Sequence, residues 1–107
     1  MLRALRQAHR LALGFTFDSF LRDERTQLAC LSAVRHVGEA ATQVPLAFCD
    51  QYPDVPWRDI IATRHRLTHG YDNILWDVVW DIIQSEFPLL EPQLVALLES
   101  LPGGLPV

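Results

Sequence analysis

The sequence has no lysine, few cysteines and no long apolar run, and each absence excludes a class of protein. All nine basic residues of the 107-residue chain are arginines, and the formal net charge is −4. This charge balance excludes a broad, non-specific nucleic-acid-binding surface, because such a surface needs basic residues spread over a whole face. Arginine nevertheless suits a phosphate group better than lysine, because its planar guanidinium can donate two parallel hydrogen bonds to two phosphate oxygens.

The cysteines and the N-terminus give no sign of an exported protein. Cys30 and Cys49 match no metal-ligand spacing and form no disulfide framework. The first residues, MLRALRQAHRLALGF, contain no apolar run long enough for a signal peptide or a membrane span. With 50% hydrophobic and 21% charged residues the composition is globular. We therefore expect a single domain over residues 1–107 in a reducing cytoplasm.

The spacing of apolar residues predicts an all-α fold. Sustained alternation and the Asn-Gly or Asp-Gly turns of hairpins are absent from the sequence, so no strand is predicted. The stretches FTFDSFLRDER and PLAFCDQYPDVP are predicted to be a connection and a long loop. We expect an up-and-down four-helix bundle with an additional C-terminal helix. The five predicted helices run from Leu2 to Gly14, from about Asp23 to Val44, from Pro56 to about His69, from Ile74 to about Phe87, and through Leu94–Leu101.

The fourth predicted helix, ILWDVVWDIIQ, is apolar over more than half of its circumference. A helix that is apolar on nearly all sides is expected to be buried on nearly all sides. Either Trp76 and Trp80 form a subunit interface, which is the reading we favour, or they pack under the last helix. Asp77 and Asp81 lie on the narrow polar strip, and one of them is a candidate partner for a nearby arginine.

The segment RHRLTHGYDNI gathers arginine and histidine at the end of the third predicted helix. Arg64 projects onto the middle of the apolar stripe of that helix, where a guanidinium is costly to bury unless it is paired. It therefore either has a dedicated acidic partner or faces a cleft or an interface. His69 lies about 140° around an ideal helix from Arg64. A helix that ends at Gly70 would unwind in its last turn and let His69 approach Arg64.

An arginine beside a histidine that titrates near neutral pH binds a phosphodiester and moves protons on it. No acidic cluster accompanies the motif in the sequence, since Asp72 stands alone and the next aspartates lie in the following helix. Metal-independent attack of a ribose 2′-hydroxyl on its own phosphate is the reaction that fits. The residues alone also allow the other reading, in which arginines and histidines merely decorate a helix.

The spacing of Arg64, His69 and Tyr71 matches the R-x4-H-x-Y signature of the HEPN superfamily, and the chain resembles its minimal HepT-like toxin branch. The stretches FLRDERTQLACLSAVRHVGEAA, YPDVPWRDIIATRHRLTHGY and VVWDII resemble that family in the same order, over about residues 15 to 90. One position departs from the pattern. The family usually has asparagine or aspartate directly after the arginine, where this chain has His65.

The resemblance implies a four-helix, metal-independent endoribonuclease that acts as a homodimer and needs no cofactor. It implies Arg64 and His69 as catalytic residues in a cleft between subunits, with His65 and Arg66 as supporting residues. The family's partner is an MntA-type nucleotidyltransferase antitoxin, which binds the toxin dimer or forms a larger complex with it in type VII toxin–antitoxin systems. That enzyme silences the toxin by transferring AMP to the motif tyrosine, which corresponds to Tyr71.

Two other functions remain open at the level of sequence. One is a non-catalytic helical partner that presents a nucleotide or substrate to the nucleotidyltransferase, and His65 at the usual asparagine position favours it slightly. The other is a structural dimerisation domain that keeps the motif only for packing. Cleavage of RNA by the purified protein separates the ribonuclease from both alternatives.

Overall fold

The structure is a computed structural model that describes residues 1–69 and 73–101, with His69 described by its backbone alone. It confirms the all-α class. Within the described ranges, no helix combines the length and the apolar character that are needed to cross a bilayer. The helices are α1 (Leu2–Ala12), α2 (Phe17–Leu21), α3 (Glu24–Thr42), α4 (Leu46–Gln51), α5 (Trp57–Arg66), α6 (Trp76–Asp81), a π-helical turn (Ile82–Glu86) and α7 (Phe87–Glu99).

The first and second predicted helices correspond to α1 and α3. Gly14, which was predicted to end α1, follows it with a φ of +85°, a conformation that glycine adopts without steric cost. Asp23 caps α3, since its side chain accepts a hydrogen bond from the backbone nitrogen of Thr26 at 2.9 Å. Capping of this kind satisfies one of the free backbone donors at the start of a helix.

Two short helices lie where a connection and a loop were predicted, so both of those predictions were wrong. The start of α2 is fixed by a capping box: the Thr16 side chain accepts from the Ser19 backbone nitrogen at 3.1 Å, and the Ser19 hydroxyl accepts from the Thr16 nitrogen at 2.9 Å. Helix α4 follows Pro45, which suits the residue that precedes a first helical turn. Both helices are too short to show an apolar period.

A short antiparallel strand pair follows α5, although no strand was predicted. Strand β1 (Thr68–His69) pairs with β2 (Asn73–Ile74), with Thr68 opposite Ile74 and His69 opposite Asn73. The third predicted helix therefore ends three residues early. Leu67 is fully buried, and its carbonyl accepts a hydrogen bond from the Leu75 nitrogen at 2.8 Å. These contacts close the base of the hairpin and stop the helix.

The fourth and fifth predicted helices form one continuous helical run from Trp76 to Glu99, joined by the π-helical turn. The helix begins at Trp76 rather than at the predicted Ile74, which lies in β2. In the resulting arrangement α3 packs between α1 and α5, while α7 lies against α1.

Trp76 and Trp80, the proposed interface residues, pack on aromatic residues of α2. The ring of Phe20, which is fully buried, lies 5.0 Å from Trp80 and 6.1 Å from Trp76 between centroids. Phe17 lies 6.2 Å from Trp80. Helix α2 thus covers part of the apolar surface that suggested a subunit interface. Both tryptophans remain half-buried, and dimerisation through them stays a prediction.

Candidate active site

The last turn of α5 carries Arg64, His65 and Arg66, and the backbone of His69 follows in β1. Arg64 is half-buried, whereas His65 and Arg66 are exposed. The backbone of His69 lies in β1, so the chain has already left the helix before it reaches the histidine. The helix ends earlier than the predicted unwinding at Gly70. Gly70 and Tyr71 lie outside the described residues, and contact between the Arg64 and His69 side chains stays a prediction.

Arg64 has an acidic partner on the neighbouring helix α3. Its Nη1 donates a hydrogen bond to Glu39 Oε1 at 2.7 Å. The sequence allowed a dedicated acidic partner, a cleft or an interface for this arginine, and the structure shows the acidic partner. The proposed partners were wrong, since neither Asp77 nor Asp81 fills this role.

The stem of Arg64 crosses α3 at Gly38, which has no side chain to obstruct it. A Cβ at Gly38 would lie 3.2 Å from Arg64 Cγ and 3.3 Å from the carbonyl oxygen of Ile60. The missing side chain therefore lets α3 and α5 approach closely with the arginine stem between them. The Arg64 Nε is buried and finds no hydrogen-bond partner among the described residues. The side chain is thus held at its stem and at one terminal nitrogen.

Arg66, two residues after Arg64, forms an ion pair with Glu86 of the same chain. Its Nη1 and Nη2 donate to Oε1 and Oε2 of Glu86 at 2.8 and 2.6 Å, a bidentate pair between α5 and the π-helical turn. The hydrogen bond to Glu86 is the main reason that the pKa of Arg66 is raised above its ordinary value. Arg66 was predicted to support the site, and the structure shows its terminal nitrogens engaged by Glu86.

Sequence reasoning missed Gly38 and Glu39 as residues of this site. The side chain of Glu39 is 55% exposed and nevertheless bonds Arg64. A glycine inside a helical pattern is a signal for close packing, because it costs helix stability unless something needs the space. That signal was present at Gly38, directly before the acidic residue.

The described part of the chain contains no group of three or more histidine, cysteine, aspartate or glutamate residues placed to hold a metal ion. What the site does offer is an arginine whose side chain is 36% exposed and whose guanidinium is bound by Glu39 at one terminal nitrogen. A cation presented in this way binds an anionic group such as a phosphate.

Comparison with known proteins identifies relatives over most of the chain. A family model described as Ribonuclease HepT-like matches residues 1–97. A protein of Methanocaldococcus jannaschii named "Putative RNase" is 33% identical over 88 residues, which cover 82% of this chain and 73% of the relative. A "Putative RNase" of Caldanaerobacter subterraneus is 30% identical over 81% of this chain and 78% of its own length. The "Probable ribonuclease HepT" of Thermococcus cleftensis is 33% identical over 70% of this chain and 68% of its own length.

No solved structure matches the chain at a significant level.

Proposed function

Because the chain belongs to the HepT-like ribonuclease family, we propose that it is the toxin of a toxin–antitoxin pair and cleaves RNA without a metal ion, using Arg64 and His69. Family membership confirms the recognition made from the motif and the ribonuclease class that it implied. The observation that carries the assignment of Arg64 is its geometry: the guanidinium is bound by Glu39 at 2.7 Å, and the side chain remains 36% exposed at the end of α5.

In the proposed reaction, His69 removes the proton from a ribose 2′-hydroxyl. The 2′-oxygen attacks the adjacent phosphorus, the bond from phosphorus to the 5′-oxygen breaks, and the protonated His69 returns its proton to the leaving 5′-oxygen. The products are a 2′,3′-cyclic phosphate and a free 5′-hydroxyl. Arg64 binds the non-bridging oxygens, whose negative charge grows in the transition state, and this type of stabilisation is a large term in catalysis.

We propose that two copies form the active unit, so that the motifs of both subunits line one cleft. This arrangement would concentrate basic residues locally while the chain as a whole keeps a net charge of −4. The partner would be an MntA-type nucleotidyltransferase that transfers AMP to Tyr71. A modified tyrosine would place a tethered phosphodiester near Arg64 and cancel the positive charge of the site.

The direct test is cleavage of RNA by the purified protein, with and without EDTA. The His69→Ala variant should lose about 10²–10⁴-fold in rate, the usual contribution of general acid–base catalysis. His9→Ala is the matched control, because His9 is an exposed histidine of α1 outside the motif, and it should cleave as the parent does. Equal activity of the two variants would remove His69 from the mechanism, and loss of activity in EDTA with recovery in magnesium would remove its metal independence.

The proposed switch is tested separately by co-expression with the proposed MntA-type nucleotidyltransferase partner. Tyr71→Phe should stay toxic to growth even when the active partner is present, whereas the parent chain should be neutralised. If the partner fully neutralises Tyr71→Phe, sequestration rather than modification explains the control. A parent chain that binds the partner but leaves RNA intact would support the alternative of a non-catalytic, substrate-presenting subunit, which His65 slightly favours.

A further inference from the structure

We infer that Glu39 is a positioning residue for Arg64, which it orients so that part of the guanidinium stays available for the scissile phosphate. This inference rests on the proposed ribonuclease function and extends it to a residue of α3 outside the motif. Glu39 touches no substrate in this scheme. It acts through Arg64, to which it is joined by the 2.7 Å bond from Nη1 to Oε1.

The two arginines at the end of α5 show why this geometry suits phosphate binding. Arg66 donates one hydrogen bond from each terminal nitrogen to the two oxygens of Glu86, so the bidentate edge formed by Nη1 and Nη2 is already occupied. Arg64 gives Nη1 alone to one oxygen of Glu39, and Nη2 makes no bond to a carboxylate of the described residues. A guanidinium held by one nitrogen is oriented while it can still bind a phosphate oxygen.

The stem of Arg64 removes most of the remaining freedom of the side chain. It passes over Gly38, where a Cβ would approach Cγ to 3.2 Å, and Nε is buried. With the stem fixed, the main remaining motion is rotation of the guanidinium about the side-chain bonds next to it, and the bond to Glu39 restricts that rotation. Ion pairs as exposed as this one, at 36% and 55%, add little to folding stability. The function left for Glu39 is therefore to direct the guanidinium.

The kinetic test compares Glu39→Ala and Glu39→Gln with Glu91→Gln. Glu91 is the matched control because it forms a similar pair with Arg6, at 3.1 Å, away from the motif. We expect Glu39→Ala to lower kcat about 10- to 100-fold, as misplaced catalytic groups do, with KM nearly unchanged. Glu39→Gln keeps an acceptor oxygen and should retain more of the rate. Unchanged kcat, or a KM that falls because a competing carboxylate has gone, would overturn the inference.

A second measurement does not depend on activity. In ¹⁵N NMR spectra the Nε–Hε signal of Arg64, assigned with Arg64→Lys, should be sharp in the parent chain and in Glu91→Gln. Its terminal nitrogens should show slowed rotation. Both features should be lost in Glu39→Ala, whose helical content is checked by circular dichroism.

The two experiments separate the two ways of being wrong. If the parent chain cleaves no RNA, the proposed function fails, while the spectra still decide whether Glu39 positions Arg64. If the Arg64 signals do not respond to Glu39→Ala, Glu39 is not a positioning residue, whatever the activity of the enzyme.

Discussion

Gly38→Ala should separate stability from activity, because the added methyl group meets one neighbour that can move and one that cannot. In an exposed helix interior, alanine is favoured over glycine by about 1 kcal/mol. Against this, the new Cβ would lie 3.2 Å from Arg64 Cγ and 3.3 Å from the Ile60 carbonyl oxygen, closer than ordinary contacts of about 3.5–4.0 Å. Overpacking of this kind costs roughly 1–3 kcal/mol. The net loss in the free energy of unfolding should lie between about 0 and 2 kcal/mol.

The strain is expected to move Arg64. The Ile60 carbonyl belongs to the backbone of α5 and cannot shift without moving the helix, whereas the Arg64 stem belongs to a flexible side chain. A displaced stem carries the guanidinium away from Glu39 and from the phosphate. We therefore expect RNA cleavage to fall by about tenfold or more, since small misplacements of catalytic groups have effects of this size.

Gly14→Ala is the matched control, in which conformation rather than space is limiting. Gly14 has a φ of +85°, and nothing lies within 4 Å of the position that a Cβ would take there. A left-handed alanine costs roughly 1–2 kcal/mol, of which about 0.4–1 kcal/mol is offset by the stiffer unfolded chain. Gly14→Ala should thus lose about 1 kcal/mol and keep its cleavage activity.

Urea denaturation followed by tryptophan fluorescence measures the stabilities, and cleavage of a labelled RNA at saturating substrate measures the rates. The two variants should have similar free energies of unfolding, but Gly14→Ala should cleave RNA as the parent does and Gly38→Ala should not. Full activity in Gly38→Ala would refute the argument that the glycine makes room for the Arg64 stem. A loss of more than about 4 kcal/mol would show that the helix contact, rather than the arginine, absorbs the strain.

Three further predictions concern the core, the cysteines and assembly. Phe20→Ala should lower the free energy of unfolding by roughly 3–5 kcal/mol in urea melts, because its ring is fully buried where α2 packs on α6. A loss below about 1 kcal/mol would contradict this. Burial raises the pKa of the Cys30 thiol from 9.0 to about 11. The contribution of Cys30 to the free energy of unfolding should therefore be complete below pH 9 and should fall between pH 9 and about 11, where the thiol of the unfolded chain ionises first. Cys30→Ala should remove this fall, and an identical pH profile in that variant would disprove the assignment. At micromolar concentration, light scattering should show a dimer with Trp76 and Trp80 shielded from quenchers, and a monomer with both accessible would refute the proposed interface.

The long helices could be predicted from the sequence because their signals are local. Apolar periodicity and the residues at Gly14 and Asp23 identified α1 and α3. Helix α2 escaped detection because a helix of 5 residues shows less than two turns of periodicity. Its stability depends on a local capping box and on the burial of Phe20 against α6, a contact between distant parts of the chain.

The sequence identified the arginines of the candidate site, but it did not identify the glutamates that pair with them. The place of Arg64 on an apolar stripe predicted an acidic partner, a cleft or an interface, and the structure shows an acidic partner. Its identity depends on how α3 crosses α5, which brings Glu39 beside an arginine 25 positions away. In the same way, Glu86 reaches Arg66 from the π-helical turn, and no sequence pattern announced that turn.

The π-helical turn also separates two parts of the last helical run that pack on different helices. One residue added to an α-helix rotates everything beyond it by about 100°. Before the turn, α6 faces α2 and α3, and after it α7 faces α1. A π-helical turn holds one residue more than an α-helical turn, because its hydrogen bonds run from i to i+5. Deleting one residue within Ile82–Glu86 would therefore restore uniform winding with the apolar face of α7 still on α1, whereas inserting one would turn that face away by about 100°. Relatives of this chain should therefore tolerate the loss of one residue from this segment far better than the gain of one.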